Sequence, residues 1–278
     1  MSVILSEAEL DRFGRAIWPD LVGRPATALN QAKFGLSRIL PVLSRLPGDN
    51  FRVLEVGAGS MLLSAYLASK GLNVTALEPL TPDFSWFEAL QMQVLAHCAR
   101  EEITFERVDS VAEEYNTPGR YDVIFTIHVL EHMRDPLRAL ENMYQSLKQP
   151  GFLLAVCPNY DVPFEPHLGI FLVGLSKSLN ARIYARRIAT KSKVWDGLFF
   201  VRYSRLRQYL DENRIRYAFN RSMVRDMFQQ LGKDQFFRAR MPPFVRWSHR
   251  VLKLARLIDL LYFLPLRMQT PMELLVTK

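Results

Sequence analysis

The chain has 278 residues, 49% of them hydrophobic, which suffices for one large α/β core with appendages. Its two cysteines, Cys98 and Cys157, have no pairing pattern, so neither a disulfide framework nor a cysteine zinc site is expected. The net charge of +8 is unevenly spread: residues 1–150 carry 14 Lys and Arg against 19 Asp and Glu, a net of −5, and residues 151–278 carry 22 against 9, a net of +13.

Residues 1–50 read as a helical cap. The first seven residues lack the basic start of a secretory signal. Ser6 and Glu9 have capping-box spacing ahead of Leu10, Phe13 and Ile17. Ala28, Ala32, Leu36, Ile39 and Leu43 recur at helical spacing until Pro47-Gly48-Asp49. From Phe51 the pattern alternates. Residues 51–56 are a β-rich run ending in glycines, 61–69 a helix closed by Lys70-Gly71, 73–77 a strand, 84–99 a helix and 103–108 a strand. Residues 121–127 are nearly all apolar, as a buried parallel strand should be. Asp135 and Pro136 are the N-cap and first residue of a helix to Leu147, and 152–156 is a fifth strand. Such repeats build an open parallel sheet with right-handed crossovers.

Residues 51–160 therefore read as a core and 161–221 as an insertion or substrate lid. Residues 222–278 read as the end of the core, with a helix at 222–231 closed by Gly232, a sixth strand starting at Phe236-Phe237 and a last strand at 273–277. An amphipathic helical insertion occupies 244–266. There Trp247, Val251, Leu254, Ile258 and Leu261 share one helical face, and Arg246, Arg250, Lys253 and Arg256 another. No stretch is apolar and uncharged for the roughly 20 residues that span a bilayer. The expected location is cytoplasmic, with peripheral contact to an anionic membrane through this segment. The competing reading packs the helix on the core with its basic face outward.

The chemistry concentrates at strand ends. Glu55-Val56-Gly57-Ala58-Gly59-Ser60 sits where the first strand turns into a helix, and glycines there allow a tight turn and close approach of a ligand to the backbone. Glu78, 21 residues past Gly57, ends the second strand, where a carboxylate can hold ribose hydroxyls, and Asp109 ends the third.

Taken with Leu77-Glu78-Pro79, Val108-Asp109-Ser110, Tyr121-Asp122-Val123-Ile124 and His128-Val129-Leu130-Glu131-His132, this series resembles class I methyltransferases that use S-adenosylmethionine, and within them the ubiquinone-biosynthesis O-methyltransferases. Leu147-Lys148-Gln149-Pro150-Gly151-Phe152 is similar to that family's turn into strand five. The resemblance implies an α/β fold with a Rossmann-like seven-stranded sheet and S-adenosyl-L-methionine as cofactor. It implies that Glu55, Gly57, Ala58 and Gly59 line the methionine and sulfonium end, that Glu78 holds the ribose, that Asp109 and Ser110 meet the adenine, and that the backbone near His128 touches the cofactor. Met61 departs from the family, which often has a third glycine there.

Methyl transfer needs the nucleophile placed and its proton removed. His128, Glu131 and His132 stand at i, i+3 and i+4 and would share a face of a helix. His132 is the first choice of base because imidazole titrates near neutral pH; His128 and His167 are the alternatives, with Glu165 beside His167. In the ubiquinone-branch enzymes the three matching positions are acidic, acidic and histidine and are linked to a divalent metal; here the set would be His128-Glu131-His132, and the reading adopted is that no metal is held. The function expected is O-methylation of a small, saccharide or lipid-linked acceptor. The alternatives are an RNA or protein methyltransferase using the basic half, and a silent S-adenosylmethionine-binding protein.

Overall fold

A computed structural model describes residues 5–48, 51–79, 85–233, 237–238 and 241–278. Asp49, Phe84 and Phe236, where expected elements end or begin, lie outside the described residues. The strands are β1 (Arg52–Val56), β2 (Asn73–Leu77), β3 (Glu106–Val108), β4 (Tyr121–Ile127), β5 (Leu147–Cys157), β6 (Phe164–Glu165), β7 (Ile170–Phe171), β8 (Arg216–Phe219) and β9 (Met272–Thr277). Seven of them form one sheet in the order β3-β2-β1-β4-β5-β9-β8, the Rossmann-like arrangement expected. The chain divides into two compact units.

The first unit comprises residues 1–129, 135–155 and 276–278. Its entry helices are α1 (Glu7–Ile17) and α2 (Arg24–Leu43). Ser6 caps α1 as its side chain accepts the Glu9 N–H. Leu29, Leu36 and Ile39 give α2 a buried stripe. β1 pairs in parallel with β2 (Val53 opposite Val74) and with β4 (Val53 opposite Val123), and β2 with β3 (Leu77 opposite Val108). The reversal of strand order between β1 and β4 is where open α/β sheets bind ligands, at the carboxyl ends. α3 (Leu62–Ser69), α4 (Ser85–Arg100) and α5 (Pro136–Ser146) follow β1, β2 and β4. Asp135 caps α5, accepting the Arg138 N–H, with Pro136 in the first turn. β5 starts at Leu147 rather than 152, so Leu147-Lys148-Gln149-Pro150 is strand rather than turn. The chain end accounts for this, since Gly151 and Lys278 exchange backbone hydrogen bonds in both directions.

The second unit comprises residues 130–134 and 156–275. It holds the antiparallel β6–β7 hairpin, α6 (Lys177–Ile183), α7 (Ala185–Ala189), α8 (Ser192–Asp196), α9 (Tyr203–Glu212), α10 (Met223–Lys233) and α11 (Pro243–Leu254). One apolar cluster gathers Tyr160, Leu168, Ile170, Trp195 and Leu198. Another gathers Val224, Phe228 and Leu231 with Val245, Leu252, Ile258 and Leu261. Fully buried Asn159 ties the unit together: its amide donates to the Arg267 and Gln269 carbonyls, and its oxygen accepts from the Asp161 and Tyr203 amides.

Three expectations change here. The strand expected at Phe236-Phe237 is instead β8, short and at the sheet edge, and Phe237 lies in a helical turn. Gly232 does not close α10, which runs on to Lys233. The 244–266 segment is not one helix. α11 stops at Leu254, Arg256 turns through a left-handed conformation (φ +58°), Leu257 N–H bonds back to the Leu252 carbonyl, and a 3-10 turn covers Ile258–Phe263.

Candidate active site

The first group of residues lies at the carboxyl ends of β1 to β4, within the first unit. Gly57 and Gly59 have φ of +77° and +51°, the left-handed region that favours glycine. A Cβ on Gly57 would lie 2.3 Å from Val129 Cγ2, and one on Gly59 3.1 Å from Phe87 Cε1. The N–H groups of Gly57 and Ala58 both donate to the Leu77 carbonyl, at 2.8 and 3.2 Å, which pins the turn to the end of β2. Met61, standing where the family has glycine, takes φ +61° and buries its side chain against Ala58 and Ala76. The glycine conformation is therefore kept by a residue whose apolar burial offsets the backbone cost.

Two carboxyls face this turn. Glu78 Oε2 accepts the Gly59 N–H at 2.9 Å. Burial pushes Glu78 up to about 7, against the opposing pull of that hydrogen bond. Glu55 accepts the Ser64 hydroxyl, and burial, reinforced by the Glu78 charge, pushes it up to about 8. Asp109 is exposed beyond β3, next to half-buried Ser110. His128 turns left-handed (φ +57°) just past β4, its ring stacked on Phe34 with centroids 5.4 Å apart.

The second group lies within the second unit. Glu165 is fully buried in β6 and accepts the Tyr160 hydroxyl at 2.5 Å, the His167 N–H at 2.6 Å and the His167 Nδ1–H at 2.9 Å. Burial alone would raise the Glu165 carboxyl, but the His167 bonds and charge win and hold it below the usual carboxylate range. Burial pulls His167 down, and Glu165 more than reverses that, so His167 sits above the ordinary imidazole value. The 3-10 turn Leu130–His132 is anchored to the loop after α8. The Glu131 carbonyl accepts the Phe199 N–H at 2.6 Å, and His132 Nδ1 lies 3.1 Å from the Gly197 carbonyl. A carbonyl only accepts, so His132 Nδ1 carries a proton and donates it to this bond. Burial holds His132 below the ordinary imidazole value. The two rings are 5.6 Å apart, and one ligand atom each of Glu131, His132 and His167 falls within 4.8 Å of the others. Burial pushes Glu131 up to about 7.

A family model described as a methyltransferase domain matches residues 25–232. The chain belongs to the methyltransferase domain family. It is an S-adenosylmethionine-dependent methyltransferase. It is 28% identical over 255 residues to an uncharacterised protein of Mycobacterium tuberculosis, covering 89% of this chain and 85% of that one. It is 32% identical over 149 residues to the ubiquinone biosynthesis O-methyltransferase of Xanthomonas campestris, covering 52% of this chain and 58% of the relative. Among solved structures it is similar in fold to a Galdieria sulphuraria protein described as a candidate sarcosine dimethylglycine methyltransferase (TM-score 0.51, 15% identity, 97% and 98% of the two chains). It is also similar to phosphoethanolamine N-methyltransferase 2 of Haemonchus contortus (TM-score 0.50, 14% identity, 87% of this chain and 52% of the other).

At the turn after β1, Gly57 leaves no room for a Cβ, and burial raises the carboxyls of buried Glu55, to about 8, and half-buried Glu78, to about 7. Of the catalytic candidates, His132 and His167 come together, with Glu131. His128 does not share a helical face with Glu131 and His132, because its left-handed backbone ends β4 and a three-residue 3-10 turn replaces the helix. The donor set His128-Glu131-His132 is accordingly replaced by Glu131, His132 and His167. Sequence reasoning missed Gly197 and Ser64. No sequence signal marks a carbonyl 65 residues away as the partner of His132.

Proposed function

We propose that this methyltransferase moves a methyl group onto an oxygen of a small, saccharide or lipid-linked acceptor, with His132 as the base that takes the acceptor's proton. The observation that carries this reading is the pair of histidines with opposite environments. His132 Nδ1 donates to the Gly197 carbonyl and burial disfavours its charged form, whereas Glu165 favours the charged form of His167. When bound, S-adenosylmethionine supplies a methyl group already activated on sulfur. What the chain's residues add is orientation and proton handling. A hydroxyl oxygen is a poor nucleophile until its proton leaves; that proton goes to His132 Nε2, and the positive charge of His167 favours the oxyanion as it develops. In the cofactor site, Glu78 is the residue for the ribose hydroxyls, with Asp109 and Ser110 toward the adenine and the Glu55 to Gly59 turn toward the methionine end, as the family resemblance implies.

The similarity to ubiquinone-biosynthesis O-methyltransferases over 149 residues supports oxygen as the target. A lipid-linked acceptor would have to be met at a membrane. Among the described residues no helix is long and apolar enough to cross one, so such contact would be peripheral. The test is methyl transfer from radiolabelled S-adenosylmethionine to a panel of catechols, saccharides and lipid-linked glycans, with primary amines alongside. Label in base-stable ethers supports the reading, and label in amines alone sinks it.

A further inference from the structure

The second unit carries an apolar surface that its own packing does not use. Along α11, Phe244, Trp247, Val251 and Leu254 recur at helical spacing and stay 39%, 66%, 44% and 86% exposed. The opposite face supplies Val245, Leu252 and buried His249, which pack toward Phe228 of α10. The inner face therefore holds α11 in place, and the outer stripe adds nothing to the core. That stripe continues at both ends. The Phe244 ring lies 5.1 Å from Phe171 and 5.2 Å from Phe164, which joins it to the β6–β7 hairpin. Val173, Leu179 and Ile183 follow along the chain and are exposed, as are Leu260 and Phe263 beyond α11.

The segments that carry this surface are mainly basic, with exposed Asp259 beside Leu260 as the acidic neighbour. Residues 166–195 contain six Lys and Arg and no Asp or Glu, and residues 237–258 contain another six with none. At 3.6 residues per turn, Arg246, Arg250 and Lys253 form a row along one edge of the outer stripe. A second copy of the chain fits this surface badly, since a two-fold interface would set that basic row near itself. Nucleic acid would satisfy the arginines, but exposed leucines and valines gain nothing from phosphates.

We propose that this surface docks on an anionic lipid bilayer, with the Phe244 to Leu254 stripe entering the headgroup region and the flanking arginines and lysines meeting lipid phosphates. The inference does not depend on which residue is the catalytic base. The test is sedimentation of the full chain with vesicles of phosphatidylglycerol and phosphatidylcholine, and separately with phosphatidylcholine alone. The expected result is binding to the first that weakens as salt rises, with a blue shift of tryptophan fluorescence that disappears in Trp247→Phe. Arg250→Gln with Lys253→Gln lowers the partition coefficient about 25-fold, from about five-fold for each charge. Trp247→Ser with Leu254→Ser lowers it about ten-fold or more. The substituted side chains are exposed, so thermal midpoints should match the parent, and this is measured alongside. No binding at low salt overturns the proposal. So does equal binding to neutral vesicles, binding of RNA in place of vesicles, or a dimer dissolved by Trp247→Ser with Leu254→Ser in a protein that ignores lipid.

Discussion

The glycine turn after β1 and the histidine cluster are built by opposite means. Around Gly57 and Gly59 the shape comes from the backbone: positive φ angles, amides tied to Leu77, and a missing Cβ that Val129 would otherwise strike. Around His132 and His167 it comes from side chains held by distant partners, Gly197 for one and Glu165 for the other. A site made by backbone tolerates almost no change at its glycines. A site made by side chains can lose its chemistry while the fold and the cofactor turn remain. Substitutions that separate these two outcomes test the comparison directly.

The largest effect is expected at Gly57. Gly57→Ala places a Cβ 2.3 Å from Val129 Cγ2 on a backbone at φ +77°. Left-handed strain of about 1–2 kcal/mol adds to an overpacking cost of about 1–3 kcal/mol. Thermal unfolding should show the loss, and calorimetry should detect no binding of S-adenosylhomocysteine. An alanine variant that binds normally would mean the turn is not what shapes the site.

Next comes His132→Ala, which should cut turnover by about 10²–10⁴-fold while the S-adenosylhomocysteine affinity stays within about two-fold. Equal activity in variant and parent passes the role to His167. Chelation should leave activity unchanged. A loss restored by magnesium would assign Glu131, His132 and His167 to a cation instead, since their ligand atoms already lie within 4.8 Å of one another.

The paired shifts also predict a pH profile. His132 must be neutral to act, and its value is lowered, so activity rises with pH along a limb below the ordinary imidazole value. His167 must stay protonated, and its value is raised, so activity falls along a limb above that value. Glu165→Gln removes the charge that raises His167. The upper limb should move to lower pH, and the lower limb should move less, because the Glu165 charge is only the smallest of the influences on His132; a merely structural role for Glu165 would not give that split. Nitrogen NMR of the imidazoles checks the same assignment without an acceptor: His132 should appear as the Nδ1–H tautomer.

How much of this the sequence disclosed follows from the same contrast. Gly57, Gly59, Glu78 and Asp109 lie at the ends of short, strongly β-forming runs, so local pattern and spacing located them. Met61 looked like a departure, and only its backbone angle and burial explain how the turn survives it. His128, Glu131 and His132 have helical spacing, yet the chain must leave β4 and reach the Asp135 cap within a few residues, which leaves room for one 3-10 turn. The Glu165–His167 pair was visible as two neighbours in a loop. Its relation to His132 was not, because it depends on how the segment from Tyr160 to Phe199 folds back on the Leu130–His132 turn. In the 244–266 segment the amphipathic pattern was plain, but the left-handed break at Arg256 divides it: Trp247 and Leu254 are left outside, while Ile258 and Leu261 go to the core.

The smallest effects grade the two carboxylates of the cofactor turn. Glu78 is half-buried and already bonded to the Gly59 N–H, so a hydrogen bond it makes to a ribose is partly shielded from water. Bonds to an ionised carboxylate are worth about 1.5–3 kcal/mol, so Glu78→Ala should weaken S-adenosylhomocysteine binding by roughly 10–150-fold. Its value near 7 adds a sign: the ionised form is the better acceptor, so the parent's affinity should fall as pH drops through about 7, and Glu78→Ala should flatten that dependence. Asp109 is exposed beyond β3, where water competes for the same donors. A net contribution of about 0.5–1.5 kcal/mol predicts only about a 2–13-fold loss in Asp109→Ala, with an unchanged thermal midpoint. Calorimetry on the two variants at one pH measures the ratio. If Asp109→Ala costs as much as Glu78→Ala, burial is not what grades these contacts.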